Sequence, residues 1–402
     1  MNTTDQKTMQ FEPGAPAPQE GIPLCIPEIS GNEWKYIKEC LDTNWVSSVG
    51  SYVNRFEQGV ADYVGSKHAV ATVNGTAALH IALLVAGVEQ DDEVVVSNIT
   101  FVSPVNAVRY VGAWPVLVDV DPKYWQMDIQ KVVEFLEGEC VWKKGELLNK
   151  ATGRRVKAIL PVHILGHPVD MAPIISVAKK YNLTIIEDAT ESLGAKYNQQ
   201  SVGTLGDIAC FSFNGNKVIT TGGGGMIVTD NTLWAEQARY LTTQAKDDPL
   251  EYIHNAIGYN YRLTNIQAAM GVAQLERLDE FIARKREISD RYAKELENIP
   301  GITLMEEATY AESISWLYTI LIDDLITGIS SRKMLKILGM NRIQTRPLWC
   351  PMHMLPIYKN VQSYKIEHSE RIYGQGLSLP SSVGLDTGNQ NKVCQTILEG
   401  LS

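Results

Sequence analysis

The chain has 402 residues, 45% of them hydrophobic and 20% charged, and a formal net charge of −10 at pH 7. That balance suits an ordinary globular protein of one large and one smaller domain and argues against a nucleic-acid surface. No apolar stretch approaches the roughly 20 residues of a membrane span, and the six cysteines form no C-x-x-C pair, which argues against a zinc module or a disulfide framework.

Residues 1–20 are polar and carry Pro13, Pro16 and Pro18, so they read as a flexible N-terminal arm. The N-terminus lacks a basic region followed by an apolar core, so a cytoplasmic protein is expected. From Ala69 to Asp230 short β-branched runs alternate with helical stretches, the pattern of a mostly parallel sheet covered by helices. The expected strands are Ala69–Val73, Glu93–Ser97, Pro115–Asp119, Val156–Val162, Thr184–Asp188, Ile208–Phe213 and Met226–Thr229. Their Val and Ile content without alternation predicts burial on both faces. The glycines between the last two suggest a tight connection and an antiparallel pairing. A charged amphipathic helix over Phe281–Asn298 then leads into a shorter α+β region. This divides the chain into a large domain over 21–280, whose first part packs on the small domain, and a small domain over 281–402.

Asn74-Gly75-Thr76-Ala77-Ala78 follows the first strand and opens a helix to about Ala86. Free N–H groups and the helix dipole at such a junction attract an anion, although a plain N-cap has the same look. Phe101 follows the second strand, where it either stacks on a ring or joins the core. His163 and His167 flank Gly166, which together with Pro168 breaks the helix that a metal pair would need. Asp188 ends the run Leu183–Ile186 at the open edge of a buried parallel strand. Glu191 stands one helical turn beyond it if the chain turns helical there, within reach of a ligand; otherwise it is a solvent-facing acid. Lys217 closes Ser212-Phe213-Asn214-Gly215-Asn216-Lys217 and precedes the flexible Gly222–Gly225. Singly, such an Asp is usually a helix cap and such a Lys a solvated charge. Together at one sheet edge, a carboxylate and an amine are what pyridoxal phosphate requires. The amine bonds its aldehyde, and the carboxylate keeps its ring nitrogen protonated.

These motifs, with Pro161-Val162-His163-Ile164-Leu165-Gly166 and Gly258-Tyr259-Asn260-Tyr261-Arg262, give the chain a resemblance to the DegT/DnrJ/EryC1/StrS sugar aminotransferases from Ile26 onward. The resemblance implies an α/β fold of the type I pyridoxal-phosphate transferases, like aspartate aminotransferase, with a large mostly parallel sheet domain and a smaller α+β C-terminal domain. It implies that Lys217 is the Schiff-base lysine and Asp188 the partner of the ring nitrogen. Gly75, Thr76 and Ser212 fall at phosphate positions, and Phe101 at the ring-stacking position. Glu191 stands where many members carry Gln or His. Asn260 matches an asparagine that reaches the neighbouring subunit's phosphate, which implies a homodimer with shared active sites. Arg262, Lys246 and Arg346 are candidates for the donor carboxylate clamp.

Asp188-Ala189-Thr190-Glu191-Ser192-Leu193-Gly194, Arg346-Pro347-Leu348-Trp349 and Met352-His353 resemble the branch that aminates C-4 of nucleotide-linked 4-keto-6-deoxy sugars. That branch serves legionaminic-acid and bacillosamine-type surface glycans. The implied reaction takes its amino group from L-glutamate. Two rivals are weighed against it. A dehydratase of the same fold typically has His at the lysine position, and a non-catalytic sensor has no reason to retain Asp188, Lys217 and the phosphate residues.

Overall fold

The computed structural model describes residues 21–401, and the arm expected over 1–20 lies outside the described residues. Seven strands follow the expected runs within one or two residues: β1 (His68–Thr72), β2 (Glu93–Ser97), β3 (Trp114–Val118), β4 (Val156–Leu160), β5 (Thr184–Asp188), β6 (Ile208–Ser212) and β7 (Gly225–Thr229). They form one sheet in the order β1-β7-β6-β5-β4-β2-β3. Every neighbouring pair from β6 to β3 is parallel, while β7 runs antiparallel to both β1 and β6. All of β2 and β7 is buried, around the consecutive apolar residues Val94–Val96 and Met226–Val228. The connection from β6 to β7 spans twelve residues, Phe213 to Gly224, so it is longer than a tight turn although the pairing is antiparallel.

This direction pattern decides where the chemistry sits. The carboxyl ends of β1, β2, β5 and β6 all reach the same edge, because two reversals at β7 return β1 to the direction of β6. Ligands of open α/β sheets settle at that edge.

The C-terminal part adds a second, antiparallel sheet of β8 (Ile302–Leu304), β9 (Thr319–Ile322), β10 (Arg346–Pro347) and β12 (Gly376–Ser378), in the order β8-β9-β12-β10. The long helix α2 (Leu278–Leu296) precedes it, and buried Ile288, Tyr292 and Leu296 share an apolar cluster with Ile320, Ile322 and Leu377. Ile22 bridges Ile343, so the first described residues are bound to this part. In return, the two-residue strand β11 (Ser363–Tyr364) leaves the C-terminal part and pairs in parallel with β3, closing the far edge of the large sheet.

Candidate active site

Helix α1 (Gly75–Val85) starts one turn after β1. Asn74 caps it, its side chain accepting from the Ala77 N–H at 2.8 Å while its carbonyl takes the Ala78 N–H. The N–H groups of Gly75 and Thr76 therefore have no partner within the helix and point out of its positive end. Thr76 Oγ1 donates to Ser103 Oγ at 2.9 Å. Gly75 is required by close approach: a Cβ there would lie 2.9 Å from Ser212 Cβ and 3.2 Å from Thr190 Cγ2. The chain thus forms a small cradle of backbone donors and hydroxyls where β1 and β6 end.

Asp188 closes β5 and is 2% exposed. Burial pushes its carboxyl up, against hydrogen bonds from Thr190 and the charge of Lys217. The Thr190 N–H donates to it at 3.1 Å. Beside it, His163 bonds Glu187 through Nε2 at 3.0 Å and accepts the Val169 N–H on Nδ1, while His167 Nδ1 bonds Pro168 O and Nε2 accepts the Ala308 N–H. Both imidazoles are thereby fully engaged in the fold.

Glu191 does not stand on a helix. Ala189 still donates to Cys210 in the next strand, Ser192 turns back onto Ala189, and Gly194 adopts φ 93°, so the chain makes turns instead. The carboxylate is nonetheless inside: Oε2 accepts the Leu165 N–H at 2.9 Å, and Oε1 lies 3.5 Å from Lys217 Nζ. Burial pushes Glu191 up to about 7, against the charge of Lys217. A carboxyl raised in the fold stabilises most below its ordinary value, and that contribution is lost as pH rises through about 7. In cofactor-free protein, Glu191→Gln should therefore lose less melting temperature between about pH 5 and about pH 8 than the parent does. Equal losses would mean that Glu191 is not raised.

Lys217 closes a turn in the β6–β7 connection, its N–H donating to Asn214 O at 2.9 Å. Its Nζ also lies 4.1 Å from the ring centroid of Trp316. Gly75, Thr76, Phe101, Asp188, Glu191, Ser212 and Lys217 all line one cavity of about 360 Å³. Phe101 is no core residue: it is 54% exposed at the cavity wall.

Four other expected residues lie outside this cavity. Arg262 is half-buried and pairs with Glu57 at 2.5 Å, beside a separate cavity lined by Trp45 and Asn265. Lys246 is exposed over the Tyr252 ring, 4.9 Å from its centroid. Arg346, in edge strand β10, bonds Thr345 O at 2.9 Å. Asn260 is exposed and bridges Thr243.

Residues not anticipated from the sequence complete the wall. Trp316 and Trp349 line it as parallel stacked indoles, with centroids 6.2 Å apart and 6° between planes. They lie about a hundred residues or more beyond Lys217; nothing local marks Trp316, and Trp349 enters the sequence reading only as the last residue of Arg346-Pro347-Leu348-Trp349. Thr100, beside Phe101, was within reach of the same argument. Its buried Oγ1 has no hydrogen-bond partner among the described residues, and the residue lines the cavity. An orphaned hydroxyl, a glycine cradle with free N–H groups, a buried carboxylate and an amine together fit pyridoxal phosphate.

Comparison with known proteins agrees. The model of the DegT/DnrJ/EryC1/StrS aminotransferase family matches residues 27–398. GDP-perosamine synthase of Caulobacter vibrioides is 40% identical over 375 residues, covering 92% of this chain and 96% of the relative. The protein of that name from Escherichia coli O157:H7 is 39% identical, covering 94% and 98%. Among solved structures, DesI in the presence of its TDP-sugar product superposes with a TM-score of 0.85 at 27% identity, covering 96% of this chain and 95% of that one.

Proposed function

The chain belongs to the DegT/DnrJ/EryC1/StrS aminotransferase family, and from that premise we propose that it aminates C-4 of a GDP-linked 4-keto-6-deoxyhexose with L-glutamate as donor, for a bacterial surface glycan. It is a pyridoxal-phosphate-dependent sugar aminotransferase with a type I fold. The observation that carries the reading is the convergence of Asp188, Lys217 and the Gly75–Ser212 cradle on one cavity, in a chain similar along nearly its whole length to GDP-perosamine synthases. The similarity to GDP-perosamine synthases favours a GDP-linked sugar over the 2-acetamido sugars of the legionaminic-acid and bacillosamine branch, which stay as the second substrate class.

Pyridoxal phosphate supplies an aldehyde that bonds amines and a ring that takes up electrons from the adjacent carbon. In the proposed roles, Gly75, Thr76 and Ser212 hold the phosphate, Phe101 covers the ring and Asp188 holds a proton at the ring nitrogen. Glu191 is held by the Leu165 N–H and faces Lys217 Nζ. Lys217 Nζ would bond the cofactor at rest; displaced by the donor's amino group, the freed amine would then take the proton from Cα of the donor. The buried floor around Asp188 keeps water away and strengthens these charge interactions.

The active unit we propose is a homodimer. Asn260 is exposed and does not line its own chain's cavity, and the segment before it exposes Leu250, Tyr252 and Ile257, the first and last more than 80% accessible. Apolar side chains so exposed are covered when a second copy docks.

The test is visible absorbance of the purified protein with L-glutamate, then with GDP-linked and UDP-linked 2-acetamido 4-keto-6-deoxy sugars. The band should fade with glutamate alone and return with the GDP sugar. A band indifferent to glutamate would contradict the donor, and return only with the acetamido sugar would move the substrate to the second class.

A further inference from the structure

Lys285 lies on α2 with its side chain fully buried, and it does not line the cavity. Its Nζ donates to the carbonyls of Trp316 at 2.8 Å and Ser381 at 2.7 Å and lies 3.9 Å from Cys25 Sγ. No carboxylate among the described residues pairs with it. A buried ammonium met only by carbonyl dipoles is costly, and an apolar side chain in its place would pack without that cost. What the ammonium supplies, and an alkyl chain would not, is a fixed carbonyl at Trp316.

Trp316 is held at three further points. Its N–H donates to Leu165 O at 2.9 Å, its Nε1–H donates to Asn216 O at 2.7 Å, and its ring stacks on Trp349. Asn216 immediately precedes Lys217, and its carbonyl also accepts from Cys25 Sγ at 3.2 Å. Leu165 in turn holds Glu191, whose other oxygen faces Lys217 Nζ. Gly166 permits this junction. A Cβ there would lie 2.8 Å from the Trp316 nitrogen, and its φ of 89° suits glycine. Backbone, loop and amine are thus tied through one residue, Trp316, and Lys285 holds its carbonyl.

We infer that Lys285 is a positioning residue for Lys217, acting through Trp316. It anchors Trp316 O, so that the indole edge fixes the Asn216 carbonyl and the indole face fixes the reactive amine. This rests on the reading of Lys217 as the lysine that bonds the cofactor. The chain of contacts is continuous from α2 to Nζ, and each link is a hydrogen bond or a ring contact.

A double-mutant cycle on the cofactor-loaded protein tests it, with Lys285→Met, Trp316→Phe and the two combined. Trp316→Phe keeps a ring face and loses the N–H to Asn216. Two quantities are read: the single-turnover rate with L-glutamate, and the amplitude of the visible circular dichroism band, which reports how the cofactor sits against the protein. Each single variant should slow the half-reaction about tenfold and change the dichroism, since small misplacements at a reacting centre are costly. The double variant should again be about tenfold slower, because both changes break one chain of contacts. A roughly hundredfold loss in the double variant would show that Lys285 acts independently, as plain structure, and would overturn the inference. A parent-like rate and dichroism in Lys285→Met would do the same. If Lys285→Met is insoluble, Lys285→Gln, which keeps an N–H for the Trp316 carbonyl without the charge, enters the cycle with milder losses and the same additivity criterion. Absence of any visible band in the parent protein would overturn the Lys217 reading itself, whereas a normal parent band with additive losses overturns only the role of Lys285.

Discussion

Lys217→Ala is expected to lower transamination by about 10⁴-fold or more, while the far-ultraviolet dichroism and the dimer stay as in the parent. Both parts of that expectation come from where the side chain stands. Nζ faces Glu191 and the Trp316 ring inside the cavity, so its loss removes the covalent anchor and the general base together. The backbone of the segment does not depend on it, because the turn is closed by main-chain bonds and by Trp316 on Asn216. The visible band should also shift to that of the unbonded aldehyde, since cofactor would then be held only through the cradle and Asp188. A variant that keeps the band and a tenth of parental turnover would remove Lys217 from the mechanism.

Asp188→Asn should cost about 10²- to 10³-fold in the glutamate half-reaction. The amide matches the carboxylate in shape, and the Thr190 N–H still finds an oxygen acceptor. What is lost is the negative charge that holds a proton on the ring nitrogen and so lets the ring take up electrons. In empty protein the site works against that charge, since burial raises the carboxyl. A protonated ring nitrogen would reverse the balance by giving the carboxylate a close cation. Parent and variant can be compared by single-turnover fading of the visible band, and equal rates would show that Asp188 plays no electronic part.

The legible part of the protein was the part written in local patterns. Runs such as Glu93–Ser97 and Thr184–Asp188 match their strands to the residue, because strands buried on both faces carry consecutive apolar residues, here Val94–Val96 and Ile185–Ile186, instead of an alternation. Asn74-Gly75-Thr76 announces its helix start through a capping side chain and a glycine, both local devices. Glu191 shows the limit of that approach. Its place inside the cavity follows from a turn and from a backbone N–H at Leu165, 26 residues away, not from helical spacing. Arg262 looked like a substrate clamp but is spent on Glu57, 205 positions earlier in the chain. Trp316 and Lys285 were invisible for the same reason, since their importance lies in contacts made only after the C-terminal part folds against the sheet.

The two-residue strand β11 has a consequence for how the protein is made. The outer side of β3 is open until Ser363 and Tyr364 pair with Leu117 and Val118. On the ribosome, most of the large sheet is therefore synthesised long before the segment that covers its edge can emerge. Throughout that interval the nascent chain presents an unpaired, apolar strand edge, the feature that recruits neighbouring chains into aggregates. Fragments ending near residue 350 should carry that hazard permanently, and they are poor choices for expressing the cofactor-binding part alone.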